Sequence, residues 1–185
     1  MTRRRVRSLL ILAALTLVSA LSSSLVRPSG TAPVPGSERL PGDAVVRRAV
    51  DGDTVKLTDG RLVRYIGIDT PEVRRHQGER WVNDPEPFSE AAAEANRQLV
   101  EGRRVRLEYD VQTHDRFGRL LAYVYVSAPR GGDEVMVNEE LLRLGYAKLL
   151  TIPPDVRYAE RFREVMTEAR QAQRGLWNDR GAEGN

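Results

Sequence analysis

Three short segments of the chain bring acidic and basic side chains together at turns. They are Asp51-Gly52-Asp53-Thr54, Arg64-Tyr65-Ile66-Gly67-Ile68-Asp69-Thr70-Pro71-Glu72 and Asp115-Arg116-Phe117-Gly118-Arg119. Carboxylates suit hard cations and general-base work, and guanidinium is the planar fork that grips phosphate. Taken singly, each segment also fits plain turn chemistry: a hairpin at Asp51 and Asp53, a strand ending in a proline corner at 69–72, a solvated tip at Arg116 and Arg119. An EF-hand loop is excluded at Asp51, because the twelfth position is Leu62 rather than Glu. Asp69 and Glu72 bracket a rigid corner, so one carboxylate can bind a cation while the other faces a water. Arg64 and Asp69 are five residues apart and fall on opposite faces of an ideal strand. Convergence on one ligand requires a bend, which Gly67 can supply as a bulge.

The rest of the composition narrows the chemistry to these groups. There is no cysteine, and His76 and His114 are the only histidines in the 185 residues. Disulfides, thiolate nucleophiles and thiolate zinc sites are therefore excluded, and neither histidine has neighbours at metal-ligand spacing. No G-x-S-x-G, H-E-x-x-H or P-loop pattern occurs. The formal net charge is +3, but Arg3, Arg4, Arg5 and Arg7 alone carry four positive charges, so the remainder stands at −1. Any case for a polyanionic partner rests on local arginines. His76 and His114 are read as surface groups or supporters of the site, Trp81 and Trp177 as packing residues.

The basic start leads into an apolar run over 9–18 and then Val18-Ser19-Ala20, the layout of an export signal. Residues 1–26 are therefore expected to be a signal peptide or an N-terminal membrane anchor. The uncharged stretch 8–26 is just long enough to span a bilayer if left uncut, with the domain outside. The paired arginines also admit a twin-arginine signal. Residues 27–42, rich in Pro, Gly, Ser and Thr, read as a flexible linker. The folded domain is expected over 43–179, with a short tail at 180–185, in a periplasmic, extracellular or membrane-anchored setting.

Within that domain, β-rich runs at 44–50 and 54–57 flank the Asp51-Gly52-Asp53 turn, and Asp59-Gly60 turns the chain into a third strand over 61–68. The polar stretch 71–87 reads as a long surface loop. Ser89 is the expected N-cap of a helix that exits at Gly102. Strands follow at 105–109, by period-two alternation, and at 120–126, joined by the 113–119 return. Helices over 138–144 and 158–174 are stopped by Gly145 and Gly175. Five strands and three helices predict an α+β, mainly β architecture, a five-stranded OB-fold Greek-key barrel with packed helices.

In chain order the three polar segments closely resemble the staphylococcal nuclease (thermonuclease) family. The resemblance comprises the D-G-D-T turn, R-x4-D-T-P-E, and the D-[KR]-[YF]-G-R-x-L-A-Y hairpin matched by Asp115 to Tyr123. It extends through Met136-Val137-Asn138-Glu139 and Gly145-Tyr146-Ala147-Lys148 to Gly175-Leu176-Trp177. It implies an OB-fold nuclease that cleaves DNA and RNA with Ca2+ and leaves 3′-phosphates. Asp53, Asp69 and the Thr70 carbonyl would then hold the metal, with Asp51 in support through water. Glu72 would be the general base, and Arg64 and Arg119 would hold the scissile phosphate. Arg116 and Phe117 would contact substrate. Two departures stand out: Phe117, Thr151 and Pro153 occupy positions where the family carries tyrosines, and the 72–88 loop is longer than the common form.

Two other function classes remain at this point. OB folds also serve as non-catalytic modules that bind single-stranded nucleic acid, but such a binder has no need of a metal site and a base. A membrane-tethered interaction domain would fit the apolar N-terminus. The expected partners are DNA and RNA, single strands favoured, with possible membrane anchorage through 8–26 and a monomeric state.

Overall fold

The computed structural model describes residues 42–77, 80–127 and 132–178, with the backbone alone at 74–77 and 80–83. The signal or anchor, most of the linker and the C-terminal tail expected from the sequence lie outside the described residues, as do the side chains of His76 and Trp81. No described helix is long and apolar enough to cross a membrane.

Strands β1 (Asp43–Ala49), β2 (Thr54–Leu57) and β3 (Leu62–Tyr65) form the expected antiparallel meander around the 51–53 and 59–60 turns. Past Gly67 comes the two-residue strand β4 (Ile68–Asp69). The stretch read as a surface loop contains instead a hairpin of β5 (Arg74–Gln77) and β6 (Arg80–Asn83). Its foot is closed by the Glu86 amide donating to the Glu72 carbonyl at 2.9 Å. Helix α1 (Ser89–Val100) precedes β7 (Arg104–Glu108) and β8 (Leu120–Ser127), which pair with each other, while β7 returns to β1. β8 then runs parallel to β3, Val63 opposite Leu120 and Tyr65 opposite Ala122. That pairing closes β3-β2-β1-β7-β8 into the expected five-stranded barrel. The short β9 (Glu134–Met136) pairs antiparallel with β8 and leads into α2 (Val137–Arg143). β10 (Lys148–Leu149) pairs with β4, and α3 (Ala159–Gln171) and a 3-10 turn (Gly175–Trp177) finish the domain.

The barrel interior is filled by Val46, Val55, Leu57, Val63, Leu120 and Val124, and α2 and α3 cover it with Leu141, Leu142 and Phe162, all essentially without solvent contact. With no disulfide, burial of this apolar surface holds the fold. Asn138 at the start of α2 ties three layers together: its Oδ1 accepts the Val124 amide at 2.9 Å, and its Nδ2 donates to the Ile66 carbonyl at 2.9 Å.

Two helix ends differ from expectation. Ser89 is the first residue of α1 rather than its cap; Phe88 precedes it at φ 67°, and the buried Ser89 hydroxyl has no hydrogen-bond partner among the described residues. The chain enters α1 through a tight turn in which the Ser89 amide donates to Glu86, which leaves the side chain facing inward. At the other end, α3 stops at Gln171 because Gln173 adopts φ 51° and the Arg174 amide folds back to the Ala169 carbonyl. Gly175 serves a different purpose, a close approach to the Gly145 backbone that a Cβ would block.

Candidate active site

The turn between β1 and β2 is built by its own carboxylates. Asp51 Oδ1 accepts the Asp53 amide at 3.0 Å, an Asx turn. The turn is also pinned from behind: Asn96 of α1 donates Nδ2 to the Asp51 carbonyl at 2.8 Å and accepts the Tyr65 hydroxyl at 2.8 Å. The buried Asp53 carboxylate joins this turn to the corner after β4. Its Oδ1 accepts the Thr54 hydroxyl at 3.2 Å and its Oδ2 accepts the Thr70 amide at 3.0 Å. Gly52 lets the two loops touch, since a Cβ there would lie 2.5 Å from Thr70 Oγ1.

The bend required between Arg64 and Asp69 is present. Gly67 takes φ 83°, a Cβ on it would meet the Phe162 ring at 2.7 Å, and the chain breaks between β3 and β4 at that point. It is a two-residue turn rather than a bulge. Its effect is that Arg64, whose side chain is 14% exposed, contacts both Asp53 Oδ2 and Asp69 Oδ1, the latter at 2.8 Å. One guanidinium thus bridges two carboxylates from different loops.

Burial pushes the Asp51 carboxyl above its ordinary range, against the pull of Arg64, the Thr54 hydrogen bonds and Arg119. Burial also lowers Arg64, which Asp69 and Asp51 oppose. Glu72 is raised by partial burial of its carboxyl and by the charges of Asp51, Asp69 and Glu86, with Arg64 working the other way. Asp51, Arg64, Asp69 and Glu72 thus act on one another's charge.

Arg119 enters from the β7–β8 hairpin, whose tip is organised by Asp115. Asp115 Oδ1 accepts the Phe117 and Arg119 amides at 2.9 and 3.0 Å, while Oδ2 takes Arg119 Nε at 2.7 Å. Holding Nε fixes the plane of the guanidinium and directs its terminal nitrogens. Arg119 lines a cleft of about 980 Å³ together with Asp51, Glu72 and Arg48, and the far wall is α1 with Glu90 and Glu94. Arg116 and Phe117 are not part of that lining. Phe117 is 68% exposed, and the Arg116 and Arg119 guanidiniums lie 4.7 and 5.5 Å from its ring centre.

The structure therefore gathers Asp51, Asp53, Arg64, Asp69, Thr70 and Glu72 into one cluster, and Arg119 lines the cleft with Asp51 and Glu72. Arg116 and Phe117 stand at its margin. His114 is exposed and bonded to Thr113, and Trp177 packs under Arg170, 4.9 Å from its ring centre. Sequence reasoning passed over Asn96, Tyr65 and Arg48. Asn96 had a signal: it sits on the buried stripe Ser89, Ala92, Asn96, Val100, where a lone amide must have partners.

The cluster's donors are all oxygen, which suits a hard divalent cation over a soft one. Asp53 and Asp69 already converge on a single cationic group, Arg64, and the burial of Asp53 favours a counter-charge there. Among the described residues no three Asp, Glu or His side chains form a protein cage. An ion held here would rest on two carboxylates and the Thr70 carbonyl, with water and substrate oxygens completing its shell.

A family model for staphylococcal nuclease homologues matches residues 62–179. The chain belongs to this staphylococcal nuclease family. Among its relatives, the SPbeta prophage-derived endonuclease YokF of Bacillus subtilis (strain 168) is 36% identical over 144 residues, 75% of this chain and 45% of that protein. The thermonuclease of Staphylococcus intermedius is 36% identical over 137 residues, 72% of this chain and 74% of its own. The endonuclease YncB of Bacillus subtilis (strain 168) is 35% identical over 139 residues, covering 72% and 61%. The chain thus spans less than half of the prophage-derived relative and about three quarters of the thermonuclease. In this family member, the family's sequence motifs fall on the carboxylate and arginine cluster.

Proposed function

We propose that this protein is an endonuclease that hydrolyses phosphodiester bonds of DNA and RNA with Ca2+. The observation that carries the reading is Asp53 and Asp69 converging on Arg64 beside a cleft lined by Asp51, Glu72 and Arg119. The names of its relatives, thermonuclease and endonuclease, support it.

Asp53, Asp69 and the Thr70 carbonyl would hold the calcium, and Asp51 would support it through water. Calcium, when bound, supplies positive charge beside the phosphoryl oxygens as negative charge builds there. Arg119, oriented by Asp115, and Arg64 grip the scissile phosphate and stabilise that same charge. Glu72 takes a proton from the water that attacks phosphorus in line. Glu72 stands in the cleft with Asp51 and Arg119, where a carboxylate can accept that proton. The bond from phosphorus to the 5′ oxygen breaks, the 5′ oxygen takes a proton from solvent, and the 3′ side keeps the phosphate. Phe117, exposed beside Arg119, offers a face for a base. The basic and apolar N-terminal pattern supports export of the enzyme.

The test is cleavage of single-stranded DNA and of RNA by the full chain in calcium, in magnesium and in chelator, with the fragment ends analysed. Calcium-dependent cutting that leaves 3′-phosphates is expected. Tight binding without cutting in any metal would assign the chain to the non-catalytic binding class.

A further inference from the structure

One wall of the cleft carries a cation that the catalytic cluster does not use. On β1, Val46 pairs with Leu57, but Arg48, two residues on, pairs with Lys56, one residue back. This bulge leaves both Arg47 and Arg48 exposed, where strict alternation would turn one of them inward. Bulges re-aim side chains, and they collect beside active sites. Here Arg48 lines the cleft with Asp51, Glu72 and Arg119, whereas Arg47 does not.

Arg48 has no hydrogen-bond or ion-pair partner among the described residues. Its cross-strand neighbour is a second cation, Lys56, and like charges directly opposite each other are unfavourable in a sheet, so the fold gives Arg48 no offsetting charge on this strand pair. Among the described residues the facing wall offers no free cation: α1 presents Glu90 and the Glu94–Arg97 ion pair.

We propose that Arg48 binds a second phosphate of the nucleic acid, next along the strand from the one held at Arg64 and Arg119, and so fixes how the strand lies in the cleft. This assignment rests on the nucleic-acid reading of the site. It makes Arg48 a positioning residue that acts on polymer binding.

The experiment measures binding of a labelled single-stranded oligodeoxynucleotide to the full chain in chelator, across a salt series, for wild type, Arg48→Ala, Arg48→Lys and Arg47→Ala. Arg48→Ala should weaken binding about tenfold at low salt. It should also flatten the slope of log affinity against log salt by about 0.7, the increment for one phosphate on a single strand. Arg48→Lys should restore the slope, and Arg47→Ala, which removes the same charge one residue away, should keep it. A wild-type slope in Arg48→Ala, or equal flattening in Arg47→Ala, would overturn the assignment. Binding that depends on Arg48 with no cleavage in calcium would retire the nuclease reading alone. In a competent enzyme, Arg48→Ala should raise KM for the oligonucleotide about tenfold with kcat held, the signature of lost uniform binding.

Discussion

The replacement Gly52→Ala isolates the contact on which the site depends. Gly52 is not in the left-handed region, so alanine faces no backbone penalty there. The added Cβ would instead lie 2.5 Å from Thr70 Oγ1 and 2.7 Å from Thr70 Cβ. Comfortable carbon contacts need roughly 3.5–4.0 Å, so the two loops must part by about 1 Å. Thr70 is buried and β-branched and has little rotamer freedom with which to yield. The displacement falls on the Thr70 amide, whose 3.0 Å bond to Asp53 Oδ2 would open past hydrogen-bonding distance. Overpacking of this kind costs about 1–3 kcal/mol, and a misplacement of that size at the site costs about a hundredfold in rate. The assay pairs urea unfolding with nuclease rate. Gly60→Ala is the contrast: φ is 94° with open space around it, so strain of about 1–2 kcal/mol is expected with activity kept. If Gly52→Ala matched wild type in both readings, the account of how the two loops are held would be refuted.

Further outcomes follow from named groups. Arg119→Lys should lower the rate far more than it alters stability, because lysine cannot reproduce the fork that Asp115 orients; an unchanged rate would remove Arg119 from phosphate binding. Phe117→Ala should weaken single-strand binding by about 1–3 kcal/mol if a base stacks there, checked by anisotropy titration. The Asp115 carboxyl is held below its ordinary 3.8 by the Arg119 side chain and by the Arg119 and Phe117 amides, against a burial effect that opposes them. A depressed acid stabilises the fold above its unfolded value and loses that contribution as pH falls through its folded one. Wild type should therefore exceed Asp115→Asn in melting temperature near neutral pH, and the two should converge below 3.8.

Much of the barrel was legible because its signals are local. The Asp51–Asp53 and Asp59–Gly60 turns mark β1 to β3, and alternation marks β7. The parallel pairing of Val63 with Leu120 is not local, and nothing near either residue announces it. The β5–β6 hairpin has no legible signal, because Arg74–Gln77 is wholly polar and the two apolar residues of Arg80–Asn83, Trp81 and Val82, are adjacent, so neither run alternates. β4 and β10, two residues each, exist only because they meet in three dimensions. At the site, the acids and arginines were readable from type and spacing, and the need for a bend at Gly67 followed from strand geometry. The bulge that exposes Arg48 could not be read, since it depends on register against β2, and the amide bridge through Asn96 depends on where α1 docks.

The most direct test of the central claim uses a closed circle of single-stranded DNA, which has no ends for any other mode of attack. In calcium, the full chain should open and then fragment the circle, and Glu72→Gln should bind it equally well yet cut about a hundredfold to ten-thousandfold more slowly. A circle left intact by the wild-type protein, or cut at the wild-type rate by Glu72→Gln, would contradict the account.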